Sequence, residues 1–300
     1  MADAEVIQGS EKTELKQILN YRRFSTIWKK NRGQAVLLVI AGILLFLCFI
    51  PMILMIILSL KTTVQIYGNF WSMPSPIAWS NYAKAFNLLL GNMFNSTLLV
   101  LIAMGLTVFL SAMGGYVFSW LEFPGKKVLF IMILSLMMVP GILTLTPRYK
   151  LIVDLYLKDT WWALILPWVS GGQVFGILLC RTFMAELPAS LFEAARIDGA
   201  TEWQGFVKIS VPLARPILTT VGIMQIIAFY NDFIWPLMVI DTNSKQVITV
   251  AIRVFQSVTG SNDIGSMIAG FVFTTLPLVV VFIFGSRYYI EGITSGAIKT

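Results

Sequence analysis

The sequence contains no histidine, which removes the commonest general base and the commonest transition-metal ligand together. Charge is scarce as well. Asp, Glu, Lys and Arg make up 12% of the 300 residues, against roughly 25% in an ordinary soluble domain. So few charges cannot coat a soluble surface, and a soluble enzyme is the wrong starting point. The only cysteines, Cys48 and Cys180, each lie inside an apolar run with no second cysteine nearby for a metal clip or redox pair, and both read as apolar fillers. No G-x-x-x-x-G-K-[ST] phosphate loop occurs, and there is no nucleophile motif or metal-ligand cluster. What remains in quantity is apolar: 57% of the chain is hydrophobic.

That material is concentrated in charge-free stretches. A hydrocarbon core about 30 Å thick needs roughly 20 apolar residues in a helix. Six runs meet or approach that length: Gly33 to Leu60, Ala85 to Leu121, Val128 to Pro147, Thr160 to Cys180, Pro216 to Ile240, interrupted only by Asp232, and Ile264 to Ser286. They predict an all-α polytopic membrane protein with six transmembrane helices, at about 35–60, 92–120, 127–150, 160–183, 216–240 and 264–288. Residues 1–34 then form a cytoplasmic segment, 35–290 the membrane domain and 291–300 a cytoplasmic tail. Within the first segment Leu15, Ile18, Leu19 and Arg22 suit a helix on the inner surface.

Basic residues set the orientation. An even number of spans places both termini on one side, where 15 of the 22 Lys and Arg fall. The other side holds Lys61, Lys84, Arg148, Lys150, Lys158, Lys245 and Arg253. Positive residues are retained in the cytoplasm, so both termini are expected there. The net charge of +7 thus records topology, and calls for no nucleic-acid partner.

Pro51, Pro140, Pro167, Pro236 and Pro277 each remove a backbone donor within an apolar run and are expected to bend it. Gly171, Gly172 and Gly176, with Ser111 and Gly115, give the small-residue spacing that lets helices approach closely. Outside the membrane, Pro74 to Asn87 and Val247 to Val258 show helical apolar spacing and predict two short amphipathic helices.

The most informative stretch is the cytoplasmic loop 186–215. Pro188 suits a helix entry, followed by an apolar stripe of Leu191, Phe192 and Ala195. Asp198-Gly199 stops that helix, because glycine accepts the left-handed conformation of a helix end. Thr201 three residues before Gln204 is a capping-box pattern that starts a second helix carrying Trp203, Phe206 and Val207. Pro212 ends this helix and Pro216 opens the next span. A loop of this length with its own helices is usually functional. On pattern alone its stripe can dock in a partner's groove, pack back on the membrane domain or lie in the lipid interface.

Glu193-Ala194-Ala195, Asp198-Gly199-Ala200, Phe206, Ile209, Pro212-Leu213 and Pro216 resemble the EAA loop of ABC importer permeases. The resemblance runs from about Tyr82 to the C-terminus. Asn81-Tyr82, Asn95-Ser96, Phe123-Pro124-Gly125, Asn231-Asp232-Phe233 and the tail through Ser295-Gly296-Ala297 are similar to the carbohydrate branch, and within it to the second permease subunit of maltose-type importers. It implies a type I importer permease fold with cytoplasmic coupling helices. It also implies as partners a second permease subunit, two ATPase subunits that bind ATP and Mg, an extracytoplasmic solute-binding protein and a carbohydrate, with no cofactor or metal in this chain. Glu193, Ala194, Ala195, Asp198, Gly199, Ala200, Trp203 and Phe206 would then dock the ATPase. Glu193 has an alternative as a solvated residue or a local partner of Arg196 or Arg215. The tail residues Gly296, Ala297 and Lys299 would reach the ATPase subunits, or fray.

One further site comes from the residues themselves. Asp232 is an ionisable group in an apolar run, and such groups face a partner or an aqueous path. With Tyr230, Asn231 and Trp235 it supplies the aromatic and hydrogen-bonding surface that sugars favour, or else it only fixes helix contacts. A secondary transporter would explain six spans but leave the structured loop unused. A permease for another solute class remains the nearer competitor.

Overall fold

The computed structural model describes residues 34–295. The helix expected around Leu15 and the tail residues Gly296, Ala297 and Lys299 lie outside the described residues. Among the described residues every regular element is helical. The chain divides between Ile57 and Leu58 into two units. The first contributes nearly all of α1 (Gln34–Ser59), 26 residues without a single charge.

The second unit opens with a short helix, α2 (Thr63–Gly68), started by a complete capping box between Thr62 and Gln65. Then comes α3 (Ser80–Trp120), whose 41 residues extend about 60 Å at 1.5 Å per residue, twice the hydrocarbon thickness. Here the expectation of a separate amphipathic helix over Pro74 to Asn87 is corrected: from Ser80 onward that segment is the first part of α3. No proline or glycine lies between Ser80 and Gly91, so nothing there breaks the helix.

Asn81, Asn95 and Ser96, in the N-terminal half of α3, are tied to backbone groups. Asn81 Nδ2 donates to the Ser59 and Lys61 carbonyls at 2.8 Å each, and Asn95 Nδ2 donates to the Ser244 carbonyl at 2.8 Å. Ser96 Oγ accepts from the Ile248 N–H at 2.7 Å. Lys61, fully buried, spends its ammonium on the carbonyls of Asn69 and Phe70 and on Ser72 Oγ. Buried polar groups must be paired in this way or they destabilise the fold.

Gly125, at φ 81°, turns the chain after Phe123-Pro124 into α4 (Lys126–Ser135). Two 3₁₀ turns, Leu136–Met138 and Gly141–Thr144, separate it from α5 (Leu145–Asp154). Pro140 sits between those turns, and the two arms are bent by 94°. α6 (Trp162–Met184) packs against α3 more extensively than any other pair of elements. The small residues explain the closeness. A β-carbon on Gly115 would lie 2.5 Å from Cys180 Cβ, and one on Gly176 would collide with Ser111. Gly171, by contrast, faces open space.

The loop 186–215 supplies α7 (Ala189–Ile197), α8 (Glu202–Gln204), a π-helical turn (Gly205–Ser210) and α9 (Val211–Leu213). α10 (Arg215–Tyr230) follows at 76° to the arm that precedes it. The fifth apolar run, expected to be helical to Ile240, stops at Tyr230 and resumes as α11 (Ile234–Val239). The outer amphipathic helix expected at Val247 to Val258 is α12 (Ile248–Thr259), with Ile248, Val250, Ile252 and Phe255 buried. The last helix, α13, runs from Ile264 to Ser295.

Among the described residues four helices are long and apolar enough to cross a membrane, and the number rises to six when each bent pair counts as one span. Of the five prolines expected to bend helices, Pro140 lies at a break. Pro51, Pro167 and Pro277 sit inside uninterrupted helices, and Pro236 lies in the first turn of α11.

Candidate functional site

The loop forms where its punctuation says it should. Pro188, in extended conformation, caps the start of α7. Gly199 adopts φ 80°, and the Gly199 and Ala200 N–H groups bond back to the carbonyls of Arg196 and Ala195. Thr201 Oγ1 accepts from the Gln204 N–H at 3.3 Å while Gln204 Oε1 accepts from the Thr201 N–H at 2.9 Å, which completes the capping box.

An aromatic cluster fastens this loop to the membrane helices. The face of α3 that meets it carries Ala112, Tyr116 and Trp120, four residues apart and so on one side of the helix. Phe192 of α7 stacks on Trp120 with ring centroids 4.0 Å apart. Tyr116 touches Phe192 at 6.3 Å and Phe206 at 5.5 Å. Its hydroxyl donates to Glu202 Oε2 at 2.9 Å, and Glu202 Oε1 pairs with Arg196 Nη2 at 3.1 Å.

This arrangement divides the expected docking residues. Phe206 is buried at 4% exposure against Tyr116 and Trp203, so it anchors the loop instead of presenting a surface. Glu193, Ala194, Asp198, Gly199 and Trp203 are exposed, and Ala195 and Ala200 are half-buried. The stripe of Leu191, Phe192 and Ala195 also divides, since Phe192 points into the cluster while Leu191 is exposed. Glu193 makes no ion pair among the described residues. Arg196, one of its two expected local partners, is engaged by Glu202.

Ile197 was missed by sequence reasoning. It is 86% exposed at the end of α7 and extends an outward edge of Leu191, Ala194 and Ile197, three residues apart. That spacing was available in the sequence. Tyr116 and Glu202 were missed as well, because their bond links positions 86 residues apart.

The second candidate lies where α10 stops. Asp232 Oδ2 accepts from Trp168 Nε1 at 2.7 Å and Oδ1 from the Trp235 N–H at 3.4 Å, while its carbonyl accepts from Thr249 Oγ1 at 2.7 Å. The Trp168 ring stacks on Phe229 at 5.4 Å, nearly parallel. Tyr230 and Trp235 are buried at 6% and 2% exposure, with their polar groups bonded to the carbonyls of Thr274 and Ala163. Arg148 lies over the Trp235 ring at 4.5 Å. Of the four residues expected to line a pathway, Asn231 is exposed, Asp232 half-buried, and the two aromatics are internal props.

Outside the spans, Asp159 clasps the loop after α11. It adopts φ 60° and accepts from Thr242 Oγ1 at 2.6 Å, the Thr242 N–H at 2.9 Å, Lys245 Nζ at 2.9 Å and the Asp241 N–H at 3.0 Å. The hydrogen bonds from Thr242, with the one from Lys245, hold its carboxyl far below the usual carboxylate range.

No group of three or more His, Cys, Asp or Glu placed to hold a metal occurs among the described residues. The loop thus presents an exposed edge on a buried aromatic support, and the fifth run carries a polar break.

Comparison with known proteins agrees with this shape. A family model described as "Binding-protein-dependent transport system inner membrane component" matches residues 24–290. The trehalose transport system permease protein SugB of Mycobacterium tuberculosis is 36% identical over 83% of this chain and 92% of its own. The arabinooligosaccharides transport system permease protein AraQ of Bacillus subtilis is 32% identical over 83% of this chain and 90% of its own. Among solved structures, a chain of a bacterial ABC transporter involved in the import of the acidic polysaccharide alginate superposes with a TM-score of 0.75 at 21% identity, covering 85% of this chain and 95% of that one.

Proposed function

The chain belongs to the family of binding-protein-dependent transport system inner membrane components, and on that premise we propose that it is the permease subunit of an ATP-driven sugar or oligosaccharide importer. The solute class is supported by the relatives, which carry trehalose and arabinooligosaccharide names and match over nine-tenths of their own length. In this reading the chain forms half of a translocation pathway with a second permease subunit. An extracytoplasmic solute-binding protein delivers the sugar, and two ATPase subunits bind and hydrolyse ATP with Mg.

The observation that carries the reading is the two-sided loop. Its inner face is locked into the cluster of Tyr116, Trp120, Phe192 and Phe206, while Leu191, Ala194, Ile197 and Trp203 stand outward beside Glu193. Helices that present apolar anchors on a rigid support suit a groove in a partner. With both termini cytoplasmic, this edge faces the compartment that holds ATP.

Alternating access then follows from linkage. ATP binding favours one arrangement of the ATPase subunits, and the permease conformation joined to that arrangement gains population. The chain's own contribution is mechanical: α7 to α9 move with the spanning helices because the aromatic cluster leaves no slack between them. Asn231 and Asp232, at the end of α10, contact the solute or gate its path. The tail 291–300 makes a second contact with the ATPase subunits.

The test is purification of the complete complex followed by uptake in vesicles. The chain should co-purify with an ATPase, and uptake of trehalose or arabinooligosaccharides should stop without internal ATP. Uptake driven by an ion gradient alone would replace this reading with a secondary transporter.

A further inference from the structure

We propose that Tyr116 is a positioning residue of the coupling machinery. Through Glu202, it fixes the register of the loop on α3, so that motion of the loop reaches the pathway end of the molecule. This rests on the function proposed above and names a device within it.

The geometry is specific. One side chain on a spanning helix engages all the parts of the loop that matter. The Tyr116 ring meets Phe192 of α7 and Phe206 of the π-helical turn. Its hydroxyl meets Glu202 of α8, and Glu202 in turn holds Arg196 at the end of α7. The chain α3–Tyr116–Glu202–Arg196–α7 therefore closes across the Gly199 turn, the point at which two short helices could otherwise swing apart.

Several features argue that the contact is built to hold position. A β-carbon on Gly205 would lie 2.9 Å from the Tyr116 hydroxyl, so the residue that opens the π-helical turn must stay bare for the phenol to reach Glu202. Single π turns inside α-helices occur frequently at functional sites. The void left between Tyr116, Phe192, Arg196, Glu202 and Gly205 is only about 10 Å³, too small for any solute and at the limit for one water. The cluster thus binds nothing and serves as a joint. The Arg196–Glu202 pair is half exposed and contributes little alone. Its value is geometric, because it orients the carboxylate that receives the Tyr116 hydroxyl.

A joint differs from ordinary packing in what its loss does. Tyr116→Phe keeps the ring and its stacking and removes only the hydroxyl. Ordinary packing predicts little change. A register device predicts that ATP still binds and the ATPase still docks, while the membrane end no longer follows.

The experiment uses the full complex with its ATPase subunits, Cys48→Ser to remove the exposed native thiol, and Ile234→Cys, at an exposed position of α11, as reporter. A membrane-impermeant maleimide is the probe, so no transported sugar is needed. The labelling rate at position 234 is compared without nucleotide and with ATP plus vanadate. In the background chain the two rates should differ at least fivefold. Tyr116→Phe and Glu202→Ala should each reduce that difference to less than twofold while the ATPase co-purifies in normal yield. The double variant should be no worse than either single one, because both remove the same bond. Glu202 is exposed, so its variant also guards against a folding defect at the buried Tyr116.

Retention of the full nucleotide response by both variants, with the ATPase bound, overturns the proposal and leaves the proposed function intact. Loss of the ATPase from both variants also overturns it, since the residues would then be simple supports of the docking surface. Absence of any nucleotide response in the background chain contradicts the proposed function itself, and the joint with it.

Discussion

The two ends of α10 differ in how far along the chain their supports reach. At its inner end the loop is set by local chemistry: Pro188 starts a helix, Gly199 stops it and the Thr201–Gln204 box starts the next. An aromatic cluster then fixes the whole unit to α3. At its other end the helix is capped by Asn231, whose side-chain amide and N–H both donate to the Ile227 carbonyl, in a run that is otherwise apolar. The turn beyond the cap is held from a distance as well, by Trp168 of α6 and Thr249 of α12 on Asp232. Coupling needs a rigid body whose shape does not depend on the state of the membrane domain. A gate needs a stop that can be released when its neighbours move. Local punctuation suits the first purpose and tertiary contacts suit the second.

Substitutions should separate the two ends, and the largest effect is expected at Gly199. An aspartate there must take φ 80° with a β-carbon. Gly199→Asp should reduce transport at least tenfold with Asp232 chemistry untouched, as read from uptake by vesicles of matched permease content. Next comes Phe192→Ala, which empties a core position at 3% exposure and should cost about 3 kcal/mol locally. Limited proteolysis should then cut within 186–215 while the spanning helices stay protected.

At the other end the expected effect is smaller. Asp232→Ala strands the Trp168 N–H and should cost about 1–3 kcal/mol. A thermal melt of the purified complex should fall by a few degrees, with the loop no more sensitive to protease than before. Equal loop sensitivity in Phe192→Ala and Asp232→Ala would erase the distinction between the ends.

The smallest effect concerns pH. The folded-state pKa of Asp159 lies below its ordinary value of 3.8, so its clasp on Thr242 and Lys245 contributes fully above that value and is lost as pH falls through the lower folded one. Wild type should keep its thermal stability down to about pH 4, and Asp159→Asn should lose the acid-dependent part of the melt below it. An unchanged acid limb in the variant would show that the clasp carries no pH dependence.

Much of the inner end was legible in the sequence, because each of its signals acts within four residues. The turn at Gly199, the capping box and the entry at Pro188 all belong to that class. The close contact of α3 with α6 was legible too, since Gly115 and Gly176 leave room that other residues would fill. Which side of α7 faces inward was not. Leu191 and Phe192 are adjacent and both apolar, and only the position of Trp120 decides between them.

The outer end was the least legible. Apolarity resumes after Asp232 and runs to Ile240, so composition alone extends the helix through a break that Asn231 caps locally and that partners 64 residues earlier and 17 later hold through Asp232. Proline was an uneven guide for a related reason. Pro140 falls between two 3₁₀ turns and marks a 94° bend, whereas Pro167 and Pro277 lie inside helices that continue past them.

The central claim is that α7 has an inner face for its own membrane domain and an outer edge for a partner. Photocrosslinking tests it most directly, with p-benzoylphenylalanine placed separately at Ile197 and at Phe192 in the assembled complex. The account predicts a crosslink from position 197 to the ATPase subunit and only intramolecular products from position 192. A crosslink from position 192 to the ATPase, or from position 197 to lipid alone, would contradict it.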